Sequence, residues 1–223
     1  MESWDGTLKN RIYVELRRSI IMGRRPPGQK IDVREIAQHY GTSITPIREA
    51  LQMLHQEGLV TIKSHSGYLV TQLTLKQLRD LLELREILEV AAVERAASRI
   101  SDEQVEELEK VYAGYTGDDD ESYDRYTAEN RQFHCLIAEA TGNRELAGLV
   151  GHLHDRLARF MVVRRAGQSM QHGHGQIVQA LRSRDVDAAR GALLEELNDT
   201  RQVVLESVIQ EQGGSWRLDW KRG

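Results

Sequence analysis

The stretch from Asp32 to Tyr68 constrains the fold more tightly than any other part of the chain, because it spells two short helices, a tight turn between them and a hairpin directly after. Asp32 stands as an N-cap before Val33, Ile36 and Ala37, whose spacing gives one apolar helical face. A helix this short must pack on a neighbour. Gly41 permits the left-handed conformation that ends a helix, and Ser43 is placed to cap the next one by accepting a hydrogen bond from a first-turn amide. Pro46 then falls in the first turn, where a missing N–H costs nothing. Ile47, Ala50, Leu51 and Leu54 form the buried stripe of the second helix, leaving Ile44, Thr45, Arg48 and Gln52 facing outward near its start. A helix N-terminus with an outward arginine suits a DNA groove, since the amides favour phosphate and Arg can reach a guanine edge. After Gly58, the β-branched segments Leu59–Lys63 and Tyr68–Thr71 flank the turn Ser64-His65-Ser66-Gly67, which predicts a two-stranded hairpin, the wing of a winged helix.

The run PPGQKIDVREIAQHYGTSITPIREALQMLHQEGLV, with GYLV after it, resembles the N-terminal domain of the GntR family of bacterial transcription regulators. That resemblance covers about the first third of the chain and implies DNA contacts by Arg34, Thr45, Arg48 and the wing around His65 and Gly67. Ile44 departs from the pattern, standing where many relatives carry a base-reading arginine. Direct guanine readout is therefore expected to be reduced.

A net charge of −4 looks wrong for a DNA-binding protein until it is resolved along the chain. Residues 1–72 carry a charge of +3 and the remainder −7, so the first domain keeps the sign that phosphate requires. Arg17, Arg18, Arg24 and Arg25 follow Leu8, Ile12, Leu16, Ser19 and Ile20 of a first helix (Thr7 to Met22) and read as a solvated basic face or as phosphate contacts. With 223 residues there is room for two modest domains. No apolar run reaches the roughly 20 residues of a spanning helix, the first residues do not read as a signal peptide, and Cys135 is the single cysteine. A cytoplasmic protein without membrane contact is the expectation.

From residue 73 the pattern is helical throughout, with no strand signal and no internal repeat. Thr74 can cap a long helix running to about Ser98, apolar over more than one face and so suited to a bundle interior or a subunit interface. Ser101-x-x-Gln104 opens the next helix with a capping-box pattern, Gly114–Glu121 reads as a loop, and four helices follow: Tyr123 to Thr141, Arg144 to Ala166, Met170 to Ser183 and Val186 to Gln210. The predicted fold is mainly α: a winged helix-turn-helix with a small β-hairpin over 1–72, an all-helical bundle over 73–212, and a tail over 213–223.

Asn130 and His134 lie four apart, on one helix face with Phe133 and Ile137 nearby; His174 and Glu196 lie on later helices. Spacing alone does not join them. The runs TLKQLRDLLELREILEVAAVERAA, ENRQFHCLIAEATGN and HGQIVQALRSRDVDAARGALLEEL resemble the helical FCD effector domain of the FadR subfamily. Such domains commonly hold a divalent metal with an Asp-x-x-x-His pair and two further histidines. The resemblance implies Asn130 at the Asp position, His134, His174, and Glu196 in place of the last histidine. Two imidazoles, one carboxylate and one amide suit a divalent transition metal: zinc, nickel, manganese or iron(II). It also implies that Arg85 faces the cavity, where a bidentate pair with a carboxylate points to a small organic acid or sugar acid as effector. A surface ion pair with Glu89 is the competing expectation for Arg85, and His152, His154 and His172 are the rival ligands under another register.

The expected protein is a ligand-responsive, homodimeric transcription regulator on a near-palindromic DNA operator. A metal-dependent helical-bundle enzyme is the alternative, weakened by the lack of HExxH and of Glu-x-x-His pairs. His134-Cys135 does not make a catalytic pair, since adjacent helical residues point roughly 100° apart. A helical module whose winged helix binds protein is a third reading.

Overall fold

The computed structural model describes the backbone of residues 7–112, 120–163 and 167–213. The first domain opens with α1 (Leu8–Ile21), capped by Thr7, and continues through β1 (Lys30–Ile31), α2 (Val33–His39), α3 (Ile44–Gln56), β2 (Val60–Lys63) and β3 (Gly67–Val70). Ile12, Leu16, Ile20, Ile47, Leu51 and Leu54 close its core between α1 and α3. Each such side chain taken from water contributes about 1.5–3 kcal/mol.

One expectation for this domain is extended and one is corrected. The predicted hairpin forms from β2 and β3, and β3 is also the central strand of a three-stranded antiparallel sheet in the order β1-β3-β2, with Ile31 opposite Tyr68 and Ile62 opposite the same residue from the other side. Two residues carry no readable period, so β1 exists through its partner and not through local sequence. Ser43 occupies the N-cap of α3, but its side chain makes no capping bond. The third helical residue is Pro46, which has no N–H to donate, and the usual reciprocal partner is missing. Asp32, by contrast, accepts from the backbone N–H groups of Arg34 (2.8 Å) and Glu35 (3.2 Å) as expected.

The second domain holds α4 (Leu75–Ala97), α5 (Asp102–Tyr112), α6 (Asp120–Ala140), α7 (Arg144–Val163), α8 (Gly167–Arg182) and α9 (Val186–Gly213). Thr74 and Gln77 form a complete capping box on α4, and Ser101 and Gln104 exchange the same pair of bonds on α5. α6 begins at Asp120, within the stretch expected to be loop, whose residues 114–119 lie outside the described ones, as do 164–166 and the tail from 214. α4 is the axis, packed by α6, α7, α8 and α9. Its inward line reads Leu78, Leu81, Leu82, Arg85, Glu89, Ala92, Val93, Ala96: an apolar stripe interrupted by two charges. Leu84 and Ile87 face outward, exposed at 42% and 59%. No helix among the described residues is long and apolar enough to cross a membrane.

α7 joins the domains. Ala158 is buried in the winged-helix core and Val162 packs against it. Arg17 is accordingly not part of a solvated basic face: its Nε donates to Glu57 at 3.0 Å and its Nη2 to Asp155 of α7 at 3.0 Å. Gly58, at φ +76°, lies so close to α7 that a Cβ there would meet Arg156 Cγ at 3.0 Å. Gly151 does the same between α6 and α7, where a Cβ would meet Arg131 Nη2 at 2.9 Å and Cys135 Sγ at 3.2 Å.

Candidate functional site

The residues expected from the sequence to contact DNA are all exposed: Arg34 in the first turn of α2, Thr45 and Arg48 on α3, His65 and Gly67 at the wing tip. Both wing-tip residues adopt left-handed backbone, at φ 67° and 79°. Ile44, exposed at 38%, puts an apolar side chain at the start of α3.

The second site lies inside the bundle, where α4 supplies Arg85 and Glu89, α6 Asn130 and His134, α7 His154, α8 His174 and α9 Glu196, every one of them buried. Arg85 Nε donates to Glu89 Oε1 at 2.8 Å and Nη2 donates to Glu196 Oε1 at 3.3 Å. The ion pair with Glu89 is therefore a buried one and not the surface bridge that the sequence allows. His134 Nδ1 lies 2.8 Å from Glu89 Oε2, and its Nε2 faces Glu196 Oε1 at 3.6 Å. Arg85 Nη2 is 3.2 Å from that Nε2, a contact that is a hydrogen bond only when the nitrogen is bare. His154 Nε2 contacts Glu89 Oε1 at 2.8 Å, and its Nδ1 lies 3.3 Å from Asn130 Nδ2. With Nε2 carrying the proton, Nδ1 accepts from the amide, and Asn130 Oδ1 turns away from His154. The imidazole of His174 stacks on Phe133 at 4.0 Å between centroids and meets His134 edge-on at 5.3 Å.

Burial would lower the pKa of His134, but the carboxylates of Glu89 and Glu196 overcome it and raise it from 6.5 to about 9. Burial wins at His154, lowered to about 4, and at His174, lowered to about 3. Burial works against ionisation of Glu89 and Glu196, yet Arg85 and His134 hold both well below the usual carboxylate range. Two cations thus balance two carboxylates at neutral pH.

The donor set fits a metal. His174 Nε2, Glu196 Oε2 and Asn130 Oδ1 are buried and have no hydrogen-bond partner among the described residues. The separations His134 Nε2 to Glu196 Oε1, 3.6 Å, and His174 Nε2 to Glu196 Oε2, 3.8 Å, are long for hydrogen bonds. They are close to the roughly 3.4 Å edge of a tetrahedron with metal–ligand bonds of about 2.1 Å. Ligand atoms of His134, His174 and Glu196 all lie within 4.8 Å of one another, and so do those of Glu89, His134 and His154. Glu89 faces Nδ1 of His134 at 2.8 Å, so a metal ion would meet Nε2, with Glu89 as the outer-shell carboxylate that metal-binding histidines usually have.

Residues 8–70 match the model of the bacterial regulatory proteins of the gntR family, and residues 80–199 match the FCD domain. The chain belongs to the GntR family. This GntR regulator is 28% identical over 195 residues to YdhC of Bacillus subtilis (strain 168), described as an uncharacterized HTH-type transcriptional regulator, covering 83% of this chain and 86% of that one. It is 26% identical over 215 residues to the HTH-type transcriptional repressor RspR of Escherichia coli (strain K12), covering 94% and 93%. Among solved structures, E. coli McbR/YncC has the same fold, with a TM-score of 0.73 at 19% identity over 92% of this chain and 100% of that one. The FCD domain of this chain is an effector-binding one, and the chain is a transcription regulator, not a helical-bundle enzyme.

Two members of the cluster escape sequence reasoning. From sequence, Glu89 reads only as a surface partner of Arg85, and His154 only as a ligand under a shifted register. Both interrupt apolar stripes, Glu89 that of α4 and His154 the run Val150, Leu153, Leu157, Met161 of α7, which is a readable signal. His152 and His172, which a shifted register would also make ligands, are exposed and stand outside the cluster. Burial raises the Cys135 thiol to about 11, so it offers no ready thiolate.

Proposed function

We propose that this GntR regulator holds a divalent transition metal (zinc, nickel, manganese or iron(II)) with Asn130, His134, His174 and Glu196, and responds to a small organic acid or sugar acid bound beside it. The observation that carries this reading is the set of three buried ligand atoms, on Asn130, His174 and Glu196, left without hydrogen-bond partners among the described residues. A buried polar atom without a partner costs about 1–3 kcal/mol; His174 Nε2 and Glu196 Oε2 face each other at 3.8 Å, and Asn130 stands one helical turn before His134 on α6, which supports a coordination set. The commonest pattern has its carboxylate at the position of Asn130; here the single carboxylate sits on α9 as Glu196, so the charge of the set is kept while its place moves. A bound metal would supply a Lewis-acidic position for a chelating carboxylate. Arg85 supplies the second hold, since its Nη1 is buried and also has no partner among the described residues. Glu89 and His154 orient the ligands, Glu89 by facing His134 Nδ1 and His154 by holding the Asn130 amide.

At the other end, Arg34, Thr45, Arg48, His65 and Gly67 contact an operator, α3 lying in the major groove. Two such helices in successive grooves require a two-fold homodimer and a near-palindromic site, and the outward Leu84 and Ile87 of α4 offer apolar surface for the partner. The protein acts in the cytoplasm as two functional units, residues 1–72 on DNA and 73–212 on effector.

The test is the metal content of untagged protein purified without chelator, followed by zinc titration of wild type and His134→Ala. The expected result is about one metal per chain in wild type and at least a tenfold weaker site in the variant, the loss typical of removing a ligand or its support. A wild type that takes up no zinc overturns the metal assignment. A steep fall of DNA affinity with salt is the matching result for the first domain.

A further inference from the structure

α7 serves three compartments with neighbouring residues. His154 is in the ligand cluster, on Glu89 and Asn130. Asp155, about 100° round the helix, leaves that cluster and is gripped from two sides: Oδ1 accepts from Arg17 Nη2 of α1 at 3.0 Å and Arg131 Nε of α6 at 2.9 Å, while Oδ2 accepts from Arg131 Nη2 at 3.1 Å. Ala158, one turn on, lies in the winged-helix core. Arg17 passes the contact onward, because its Nε holds Glu57, the C-cap residue of α3, and Tyr13 of α1 donates its hydroxyl to the same carboxylate. Arg131 is the residue after Asn130, so α6, which carries two of the proposed ligands, and α7, which carries the orienting His154, meet at Asp155. Arg17 and Glu57, at 18% exposure, and Asp155, at 10%, are well shielded, while Arg131 reaches the surface at 41%. Water screens such a junction far less than a surface pair, and its forked geometry fixes direction as well as distance.

We propose that Asp155 is the positioning residue through which the ligand cluster sets the orientation of the winged helix. A change at Asn130 or His154 shifts α6 or α7, Asp155 carries the shift to Arg17, and Arg17 carries it through Glu57 to the end of α3. This rests on the metal reading above. Packed helices joined by a forked ion pair exchange between discrete arrangements, which is what a switch needs.

The experiment is hydrogen–deuterium exchange on the full chain, chelator-treated, with and without zinc ion alone as the probe, in wild type, Asp155→Asn and Arg17→Lys. Asp155→Asn keeps the shape and removes the charge. Arg17→Lys keeps the charge and removes the fork that holds Glu57 and Asp155 together, so it carries the test if Asp155→Asn fails to fold. In wild type, zinc is expected to change exchange rates at least threefold in α4, α6, α8 and α9, and also in α1 and the last turn of α3. In either variant the first set of changes is expected to remain, with the second falling below 1.5-fold. Equal changes in α1 and α3 of wild type and variants overturn the proposal and leave the metal site standing, as does a wild type whose zinc effect stops within the bundle. A wild type without any zinc effect and without bound zinc overturns both.

Discussion

Arg85→Met is the substitution that interrogates the cluster most directly. Methionine nearly matches the arginine stem in reach and leaves the packing of α4 intact, but it removes the guanidinium that bonds Glu89 at 2.8 Å and Glu196 at 3.3 Å. Two buried carboxylates then face a single imidazolium. Breaking a buried ion pair by deleting one partner costs about 3–5 kcal/mol. In a chain of this length each kcal/mol moves the melting point by roughly 2–4 °C, so a fall of roughly 6–20 °C is expected. The assay is a thermal melt followed by circular dichroism in chelator. Zinc added to the variant should then recover most of the loss and stabilise it more than wild type, because a dication on Glu196 replaces the charge that left without competition from a guanidinium. A melting point within about 2 °C of wild type in chelator would refute the account of Arg85 as the counter-charge of the cluster. A full fall that zinc does not mend would refute the competition between Arg85 and metal.

Three further expectations follow from single features. His134 has a folded pKa raised to about 9, so its stabilising contribution, about 3 kcal/mol, is complete below pH 6.5 and disappears as pH rises through 9. His154 and His174 have lowered values, about 4 and 3, and their contribution is lost as pH falls from 6.5 through those values; denaturant midpoints measured against pH in chelator should peak near 6.5. Arg48→Ala should weaken a selected operator duplex by about 1–3 kcal/mol in fluorescence anisotropy, with an unchanged melting point because Arg48 is exposed. Thr74→Ala, which dismantles a complete capping box, should cost about 1 kcal/mol, whereas Ser43→Ala, which removes no capping bond, should stay within about 0.5 kcal/mol by urea titration.

The helices of this GntR regulator are legible because period and caps are local: Asp32, Thr74 and Ser101 each sit where their side chains cap. β1 is not, since Lys30 and Ile31 become strand only through Leu69 and Tyr68, some forty residues on. Ser43 fails for the opposite reason, a good capping residue defeated by the proline three places later. In the cluster, Asn130, His134, His174 and Glu196 are legible only by resemblance, and the structure brings ligand atoms of His134, His174 and Glu196 within 4.8 Å of one another. Arg17 misleads because four arginines close together suggest a face, while Arg17 and Arg18 point about 100° apart on α1, Arg24 and Arg25 lie beyond its end, and α7 claims Arg17.

The arrangement of α7 also limits how the chain can change in length. Loops between helices absorb insertions, but one residue added between His154 and Asp155 would rotate everything beyond it by about 100°. His154 would stay in the ligand cluster while Asp155 turned from Arg17 and Ala158 from the winged-helix core. The spacing of these three residues is therefore constrained along with their identities, and an insertion is tolerated only outside that single stretch of helix.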